Sequence, residues 1–206
     1  GAQTRQFFGR CSSCGSWNTL VEQAAASTDN RRRRPVAAPA EAAIPAAPRR
    51  SEPIAAVGER PLQRLGSGYG ELDRVLGGGL VPGSLVLLGG DPGIGKSTLL
   101  LQSAQAMAAR HSVLYVSAEE SAQQVKEDAT GASGLQLLAE TDLELVLQEL
   151  EALRPAVAVI DSIQALHDGE LGSAPGSVAQ VRECAAALAR IAKRQDTALL
   201  LVGHVT

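Results

Sequence analysis

The stretch that decides the fold is Gly90-Asp91-Pro92-Gly93-Ile94-Gly95-Lys96-Ser97, which fits the phosphate-binding pattern G-x-x-x-x-G-K-[ST] in full. Glycines let such a loop fold around a polyphosphate with its N–H groups pointing inward, and the helix that follows adds partial positive charge. We expect Lys96 to reach the β- and γ-phosphates and the Ser97 hydroxyl to offer Mg²⁺ an oxygen ligand. The predicted nucleotide-binding residues are Gly90, Asp91, Pro92, Gly93, Ile94, Gly95, Lys96, Ser97 and Thr98.

The sequence on both sides supports this interpretation against an accidental glycine-rich turn. Residues 61–206 alternate short apolar runs with helical patterns, which is typical of an α/β fold with a mostly parallel sheet and flanking helices. Each apolar run has the length of a strand buried on both faces. The predicted strands are Ser84–Gly89, Val113–Ser117, Ala156–Asp161 and Ala198–Gly203, with a shorter one near Leu135–Leu138; the predicted helices are Lys96–Arg110, Thr141–Leu153 and Val178–Arg194.

The last of these helices shows the clearest periodicity. Its apolar residues recur every three or four positions on one face, which predicts the side that packs against the sheet. Ser177 followed by Gln180 has the spacing of a capping box at the helix start. Cys184 lies among alanines in mid-helix and is expected in the core. The apolar face comprises Val178, Val181, Ala185, Leu188 and Ile191.

Composition excludes several function classes. The chain has 206 residues, 45% of them apolar, so it suits one core plus a small appendage. Aromatic residues are only 2%, which disfavours carbohydrate binding and base-stacking platforms. No apolar run reaches the roughly 18 residues of a membrane span. The three cysteines are too few for a disulfide scaffold, so we expect a reducing compartment, the cytoplasm, and no membrane partner.

Three zones divide the chain. Residues 1–23 contain Cys11-x-x-Cys14, half the ligand set of a C4-type zinc ribbon, although a redox motif is the competing interpretation. Residues 24–60 are rich in Ala, Pro and Arg and are expected to be a disordered linker, with Arg31–Arg34 either solvated or touching DNA. Residues 61–206 form the predicted ATPase core. Charge divides similarly: residues 1–60 carry nine Arg against five acidic residues, and residues 61–206 carry ten basic against 17 acidic residues.

Three more polar residues follow predicted strands. Asp161 ends the run Val157–Ile160, where a carboxylate faces the phosphate loop and holds Mg²⁺ through water; capping the next segment is the alternative. Glu119 and Glu120 follow Val113–Ser117, so one of them could activate the attacking water, or both could simply mark a solvated helix start. His204 ends the last run and could sense the γ-phosphate, although a lone His is more often structural.

Seven segments carry a family resemblance: residues 9–20 (GRCSSCGSWNTL), 71–84 (ELDRVLGGGLVPGS), 89–98 (GGDPGIGKST), 115–121 (YVSAEES), 160–164 (IDSIQ), 174–183 (APGSVAQVRE) and 203–206 (GHVT). Together they resemble the RadA/Sms family of bacterial DNA repair proteins, relatives of RecA. The resemblance implies a RecA-like, DNA-dependent ATPase that binds single-stranded and branched DNA, promotes branch migration, forms homo-hexamers and works with a RecA-type recombinase.

The resemblance also assigns roles to residues. It implies that Glu119 activates water, Asp161 holds Mg²⁺, His204 senses the γ-phosphate and Lys96 completes the catalytic set. Segment His167–Ser177 corresponds to the first DNA loop, but it has no Lys or Arg, so DNA contacts there would be backbone or polar, with help from Arg182. The implied cofactors are ATP, Mg²⁺ on Ser97 and Asp161, and Zn²⁺ on Cys11 and Cys14.

Some family features are absent or shortened. The first zinc-binding Cys pair of the family would lie before Gly1, and segment Lys126–Leu135 is shorter than expected. The Lys-Asn-Arg-Phe-Gly motif, the second DNA loop and a Lon-protease-like domain would follow Thr206. We therefore expect a fragment whose own zinc binding, hydrolysis and assembly stay open. Two other functions also stay open: a RecA-like ring ATPase of another type, and a module that uses nucleotide only to assemble.

Overall fold

A computed structural model of the chain describes residues 63–129 and 134–204, together with residues 51, 53–56 and 58. The described residues from 55 onward belong to one compact unit. Its strands are β1 (Leu85–Gly90), β2 (Val113–Ser117), β3 (Leu135–Ala139), β4 (Val157–Asp161) and β5 (Ala198–His204). Its helices are α1 (Gly70–Val75), α2 (Lys96–Ala108), α3 (Ala122–Asp128), α4 (Leu143–Leu153) and α5 (Val178–Gln195).

The strands form one parallel sheet in the order β1-β5-β4-β2-β3. Every residue of β2 and β4 is buried, which explains why their sequences are unbroken apolar runs without polar alternation. Because all five strands are parallel, their carboxyl ends meet at one edge of the sheet, which is where open α/β sheets bind ligands. The predicted α/β class with a parallel sheet and flanking helices is confirmed.

Helices cover both faces of the sheet and create two apolar cores. On one face, α2 and α3 contribute Leu100, Met107 and Val125 to a cluster with alternate residues of the strands. On the other face, α4 and α5 pack Leu150 and Leu188 against the remaining strand residues. Cys184 lies in this second core as expected, and burial raises the pKa of its thiol.

The start of α5 differs from its sequence prediction in two ways. The Ser177 side chain accepts a hydrogen bond from the Gln180 N–H, but the Gln180 side chain turns to a neighbouring loop instead of closing the capping box. The reciprocal capping box forms at α3, between Ser121 and Gln124. Val178 was expected on the packed face, yet its side chain is 76% exposed because α5 begins beyond the edge of the core.

Element boundaries otherwise follow the sequence closely. Strand β2 has the predicted limits, and each other predicted strand or helix is shifted, shortened or extended by one or two residues. Two helices were missed, α1 and α3, because each is under two turns long and too short for apolar periodicity. A 3-10 turn at Ile54–Ala56 lies within the stretch predicted as a linker.

The prediction that each strand is buried on both faces was wrong for the two edge strands, β1 and β3. Strand β1 lies at one edge of the sheet and alternates exposed with partly buried residues. Leu85 and Leu87 are among the large apolar side chains left exposed. An apolar run therefore predicted the strand but not its place in the sheet.

Other sequence predictions fall outside the described residues. These include the zinc-ribbon residues Cys11 and Cys14 and the basic run Arg31–Arg34. No helix among the described residues is long and apolar enough to cross a membrane.

Candidate nucleotide-binding site

The phosphate loop connects β1 to α2. Gly93 and Gly95 have φ angles of 77° and 90°, which residues with a Cβ rarely adopt. A Cβ added at either position would meet nothing within 4 Å, so the backbone conformation, not crowding, requires glycine there. Gly95 is the N-cap of α2 and has no side-chain cap. The first N–H groups of α2 are therefore left for an anion.

Lys96 is the one basic side chain held inside this loop among the described residues. Its Nζ donates to the carbonyl oxygens of Gly90 and Asp91, at 2.9 and 2.7 Å, and the residue is buried. Ser97 is partly buried at the same helix start, whereas Thr98 and Ile94 are exposed. The loop thus holds a positive charge among backbone dipoles at the carboxyl edge of the sheet.

Strand register brings the other predicted residues to that edge. Gly90 pairs with His204 across β1 and β5, and Ser117 pairs with Asp161 across β2 and β4. The Ala118 N–H donates to the Asp161 carbonyl at 2.7 Å, which extends this pairing one residue beyond β2. The turn that carries Glu119 is consequently fixed beside the end of β4.

Glu119 Oε1 accepts hydrogen bonds from residues at the ends of two other strands. The Ser162 hydroxyl, directly after β4, donates to it, and His204 Nε2 at the end of β5 lies 3.3 Å away. The turn before α3 is braced by Ser117, whose hydroxyl donates to the Glu120 carbonyl at 2.7 Å. The Glu120 side chain makes no hydrogen bond to any described residue. The structure therefore distinguishes two carboxylates that the residue pattern alone left equivalent.

Asp161 occupies a drier position than Glu119. The residue is 7% exposed, and its Oδ2 accepts a 2.6 Å hydrogen bond from the Tyr115 hydroxyl. Burial first, and then the negative charge of Asp161 and this hydrogen bond, raise the pKa of Tyr115 far above its usual range. Tyr115 is thus a permanent donor to Asp161. The peptide bond between Asp161 and Ser162 is cis.

These donor atoms fit a magnesium ion bound with a nucleotide. Mg²⁺ prefers oxygen ligands and keeps several waters, and it is usually held by one or two carboxylates or hydroxyls plus phosphate oxygens. The Ser97 hydroxyl and the Asp161 carboxylate are such groups. No cluster of three or more His, Cys, Asp or Glu side chains occurs in the described part of the chain, so the protein alone builds no closed metal site there.

His204 and the segment after β4 are also connected. Gln164 Nε2 donates to the His204 carbonyl at 3.3 Å. Its Oε1, like His204 Nδ1, is buried without a hydrogen-bond partner among the described residues. His204 thus faces Glu119 through one ring nitrogen, while its other ring nitrogen meets no partner in the part of the chain that the structure describes.

Sequence reasoning missed the residues that donate hydrogen bonds to the two carboxylates. Tyr115 and Ser162 lie inside segments that were quoted only for their neighbours. A signal existed for Tyr115, because a tyrosine in a fully buried strand usually has a hydrogen-bond partner for its hydroxyl. Its partner, however, depends on the strand order, which the sequence did not provide.

Fold and site together define a P-loop nucleotide-binding domain of the RecA-like type. The AAA domain family model matches residues 59–206, and the chain belongs to this family. A second family model, described as a rubredoxin metal binding domain, matches residues 1–22. The predicted ribbon segment is therefore similar to a known metal-binding module.

Relatives over the whole chain are DNA repair proteins. The chain is 46% identical to the DNA repair protein RadA of Synechocystis sp. and of Halalkalibacterium halodurans, and 44% identical to that of Escherichia coli. Each alignment covers 100% of this chain but only 45 or 46% of the relative. The resemblance to RadA is confirmed, and the chain spans just under half the length of these relatives.

Proposed function

We propose that the chain is the ATP-binding and ATP-hydrolysing part of a DNA repair ATPase. The observation that carries this proposal is the meeting of the P-loop with Glu119 and Asp161 at one edge of the sheet. A phosphate loop alone binds nucleotide, but hydrolysis also needs a group beside the phosphates that can take a proton from water. Glu119 supplies that group.

Each residue has a distinct role in this mechanism. The backbone N–H groups of residues 93–98, which include the start of α2, hold the phosphates, and Lys96 exchanges its carbonyl partners for phosphate oxygens. Ser97 and Asp161 would hold Mg²⁺, which neutralises charge on the phosphates when bound. Glu119 Oε2, which has no partner among the described residues, would accept the water proton, while Ser162 and His204 hold Oε1.

We further propose that hydrolysis serves recombinational DNA repair. The support is the similarity over the full chain to proteins named DNA repair protein RadA. The proposed partners are single-stranded and branched DNA, a RecA-type recombinase and further copies in a hexamer, with branch migration as the outcome and the bacterial cytoplasm as the location. The proposed domains are a zinc ribbon in 1–23, a linker in 24–60 and the ATPase core in 61–206.

The loop His167–Ser177 is the proposed DNA contact within this chain. It carries no Lys or Arg, but buried Gln180 ties it to α5 by accepting from the Asp168 N–H at 2.9 Å and donating to the Ser173 carbonyl at 3.0 Å. Such a loop would offer DNA its backbone and hydroxyl groups, in a fixed shape. Electrostatic attraction would have to come from Arg182 or from residues outside the described part.

ATP turnover with and without single-stranded DNA tests the proposal. The blank is Lys96→Ala, and the matched control is Lys193→Ala, an exposed lysine on α5. We expect DNA to stimulate turnover by the unmodified protein and by the Lys193 variant, and the Lys96 variant to bind and hydrolyse ATP at least about 100-fold less. Turnover that ignores DNA would overturn the DNA-coupled function and favour a ring ATPase of another type.

A module that uses ATP only to assemble is the second candidate function. Glu119 favours it in one respect: its side chain is 44% exposed, more than is usual for a general base in a closed site. ATP binding that shifts the sedimentation coefficient without turnover would support this module. Absence of ATP binding would overturn both functions.

A further inference from the structure

Tyr115 is the residue near the site that the proposed mechanism leaves without a role. Its side chain sits in the core between α2 and the sheet and is 2% exposed, yet its hydroxyl reaches the end of β4. The hydroxyl lies one strand away from Asp161, since β2 and β4 are adjacent and parallel. Its side chain and that of Asp161 project to the same face of the sheet, which also carries α2 and the phosphate loop.

We propose that Tyr115 is a positioning residue for Asp161, which it orients toward the magnesium ion of the bound nucleotide. The inference rests on the proposed ATP site. A carboxylate beside a metal is itself held by hydrogen bonds, and these fix which oxygen faces the metal. Tyr115 occupies Oδ2 at 2.6 Å, and Oδ1 accepts no hydrogen bond among the described residues. Oδ1 is therefore the oxygen left for a metal-bound water.

Burial makes this arrangement specific. Asp161 is 7% exposed, so little bulk water is available to replace a lost partner, and an unsatisfied buried carboxylate oxygen is costly. No other side chain in the described part of the chain donates to Asp161. The phenol of Tyr115 is a hydrogen-bond donor at neutral pH, so it donates to Asp161 Oδ2 and does not compete for the metal.

The test compares ATP affinity with excess Mg²⁺ and with EDTA, by titration calorimetry on the 206-residue chain. Tyr115→Phe removes only the hydroxyl. Tyr69→Phe is the matched control, because Tyr69 is the other tyrosine of the chain and its hydroxyl bonds to the exposed Gln102 at 2.8 Å.

We expect Tyr115→Phe to weaken ATP binding about 10-fold in Mg²⁺, the usual loss when a group supporting a metal ligand is removed. Binding in EDTA is expected to stay within about twofold, since Asp161 then has no metal to hold. Tyr69→Phe should change neither affinity. A Tyr115 variant that keeps the normal gain from Mg²⁺, or that loses affinity equally in both conditions, would overturn the inference.

A second comparison separates positioning from general damage to the fold. In an Asp161→Asn background the Tyr115 change should cause no further loss of the Mg²⁺ effect, because Tyr115 acts only through the carboxylate. An additional loss in that background would mean that Tyr115 acts otherwise. If the unmodified chain binds no ATP, the proposed function fails first, and this inference fails with it.

Discussion

Glu119 and Glu120 are neighbours in sequence, but only Glu119 is drawn into the site. Its Oε1 joins the Ser162 hydroxyl and His204 Nε2, whereas Glu120 contributes its backbone to the turn held by Ser117. The two positions form a natural pair of matched variants, since each change from Glu to Gln keeps the size and removes one charge. Their comparison isolates the role of the carboxylate that faces the loop.

Glu119→Gln is expected to lower ATP turnover about 100-fold, the contribution typical of a general base, because an amide cannot accept the water proton. ATP affinity should stay close to normal, since Lys96 and the loop N–H groups hold the phosphates. Glu120→Gln should leave turnover within about twofold, as surface changes usually do. Steady-state kinetics and calorimetric affinity measure the two effects, and unimpaired turnover by the Glu119 variant would remove it from the mechanism.

At this scale the sequence predicted the residues whose chemistry lies in a local pattern. The P-loop positions are contiguous, and Asp161 and Glu119 were proposed as site residues because one ends an apolar run and the other follows one. The residue pattern alone did not choose between Glu119 and Glu120, and only the family resemblance favoured Glu119. Neither pattern nor resemblance revealed the hydrogen-bond partners of Tyr115 and Ser162. Those depend on β2 lying beside β4, which is a property of the sheet and not of any segment.

Among the elements, α5 and the loop before it are linked by one buried amide. Gln180 is 1% exposed, and its side chain contacts both Asp168 and Ser173. The Ser-x-x-Gln spacing at Ser177 predicted a capping box at the start of α5, where the reciprocal box does not form. The same spacing at Ser121 does form one, at the start of α3. The difference is tertiary: α3 starts in solvent, so Gln124 turns back on its own helix, whereas a loop packs over the start of α5 and recruits Gln180.

Gln180→Ala is expected to speed hydrogen exchange of the Asp168 N–H about fivefold, since this N–H loses its acceptor and one hydrogen bond contributes about 1 kcal/mol. Exchange in the buried half of α5 should stay unchanged. Gln148→Ala is the control, because Gln148 makes a surface contact to Glu144 on α4. Exchange mass spectrometry measures both, and an unchanged rate in the 168–173 segment would show that other contacts hold the loop.

Helices α1 and α3, which were not predicted from the sequence, show that apolar periodicity identifies only helices of sufficient length. Helix α3 has seven residues and α1 has six, so neither presents two turns of apolar spacing. Only Val125 of α3 is buried, which is too little to mark a face. The long helices were predicted because packing against the core imposes apolar periodicity along them. The short helices were missed because contacts with neighbouring elements decide where they form.

For the molecule as a whole, the two edges of the sheet differ in chemistry. Strand β3 closes one edge with Gln136 among its exposed residues, while β1 closes the other with Leu85 and Leu87. Beside Leu87 the surface continues into an apolar groove. It is lined by Ile163, which follows β4, and by Val181 and other side chains of α5 and β5. An apolar edge strand with unpaired backbone groups is a template for association between copies in concentrated solution.

Leu87→Lys is therefore expected to raise the concentration at which the 206-residue chain begins to aggregate, as followed by static light scattering. The matched control is Leu145→Lys, because Leu145 is 47% exposed on α4 and Leu87 is 60% exposed on β1, but a helix surface cannot extend a sheet. Each variant moves the net charge of −3 one unit closer to zero, which by itself favours association. A gain in solubility from Leu87→Lys alone must then come from blocking the edge, whereas equal behaviour of the two variants would mean that the β1 edge does not drive aggregation.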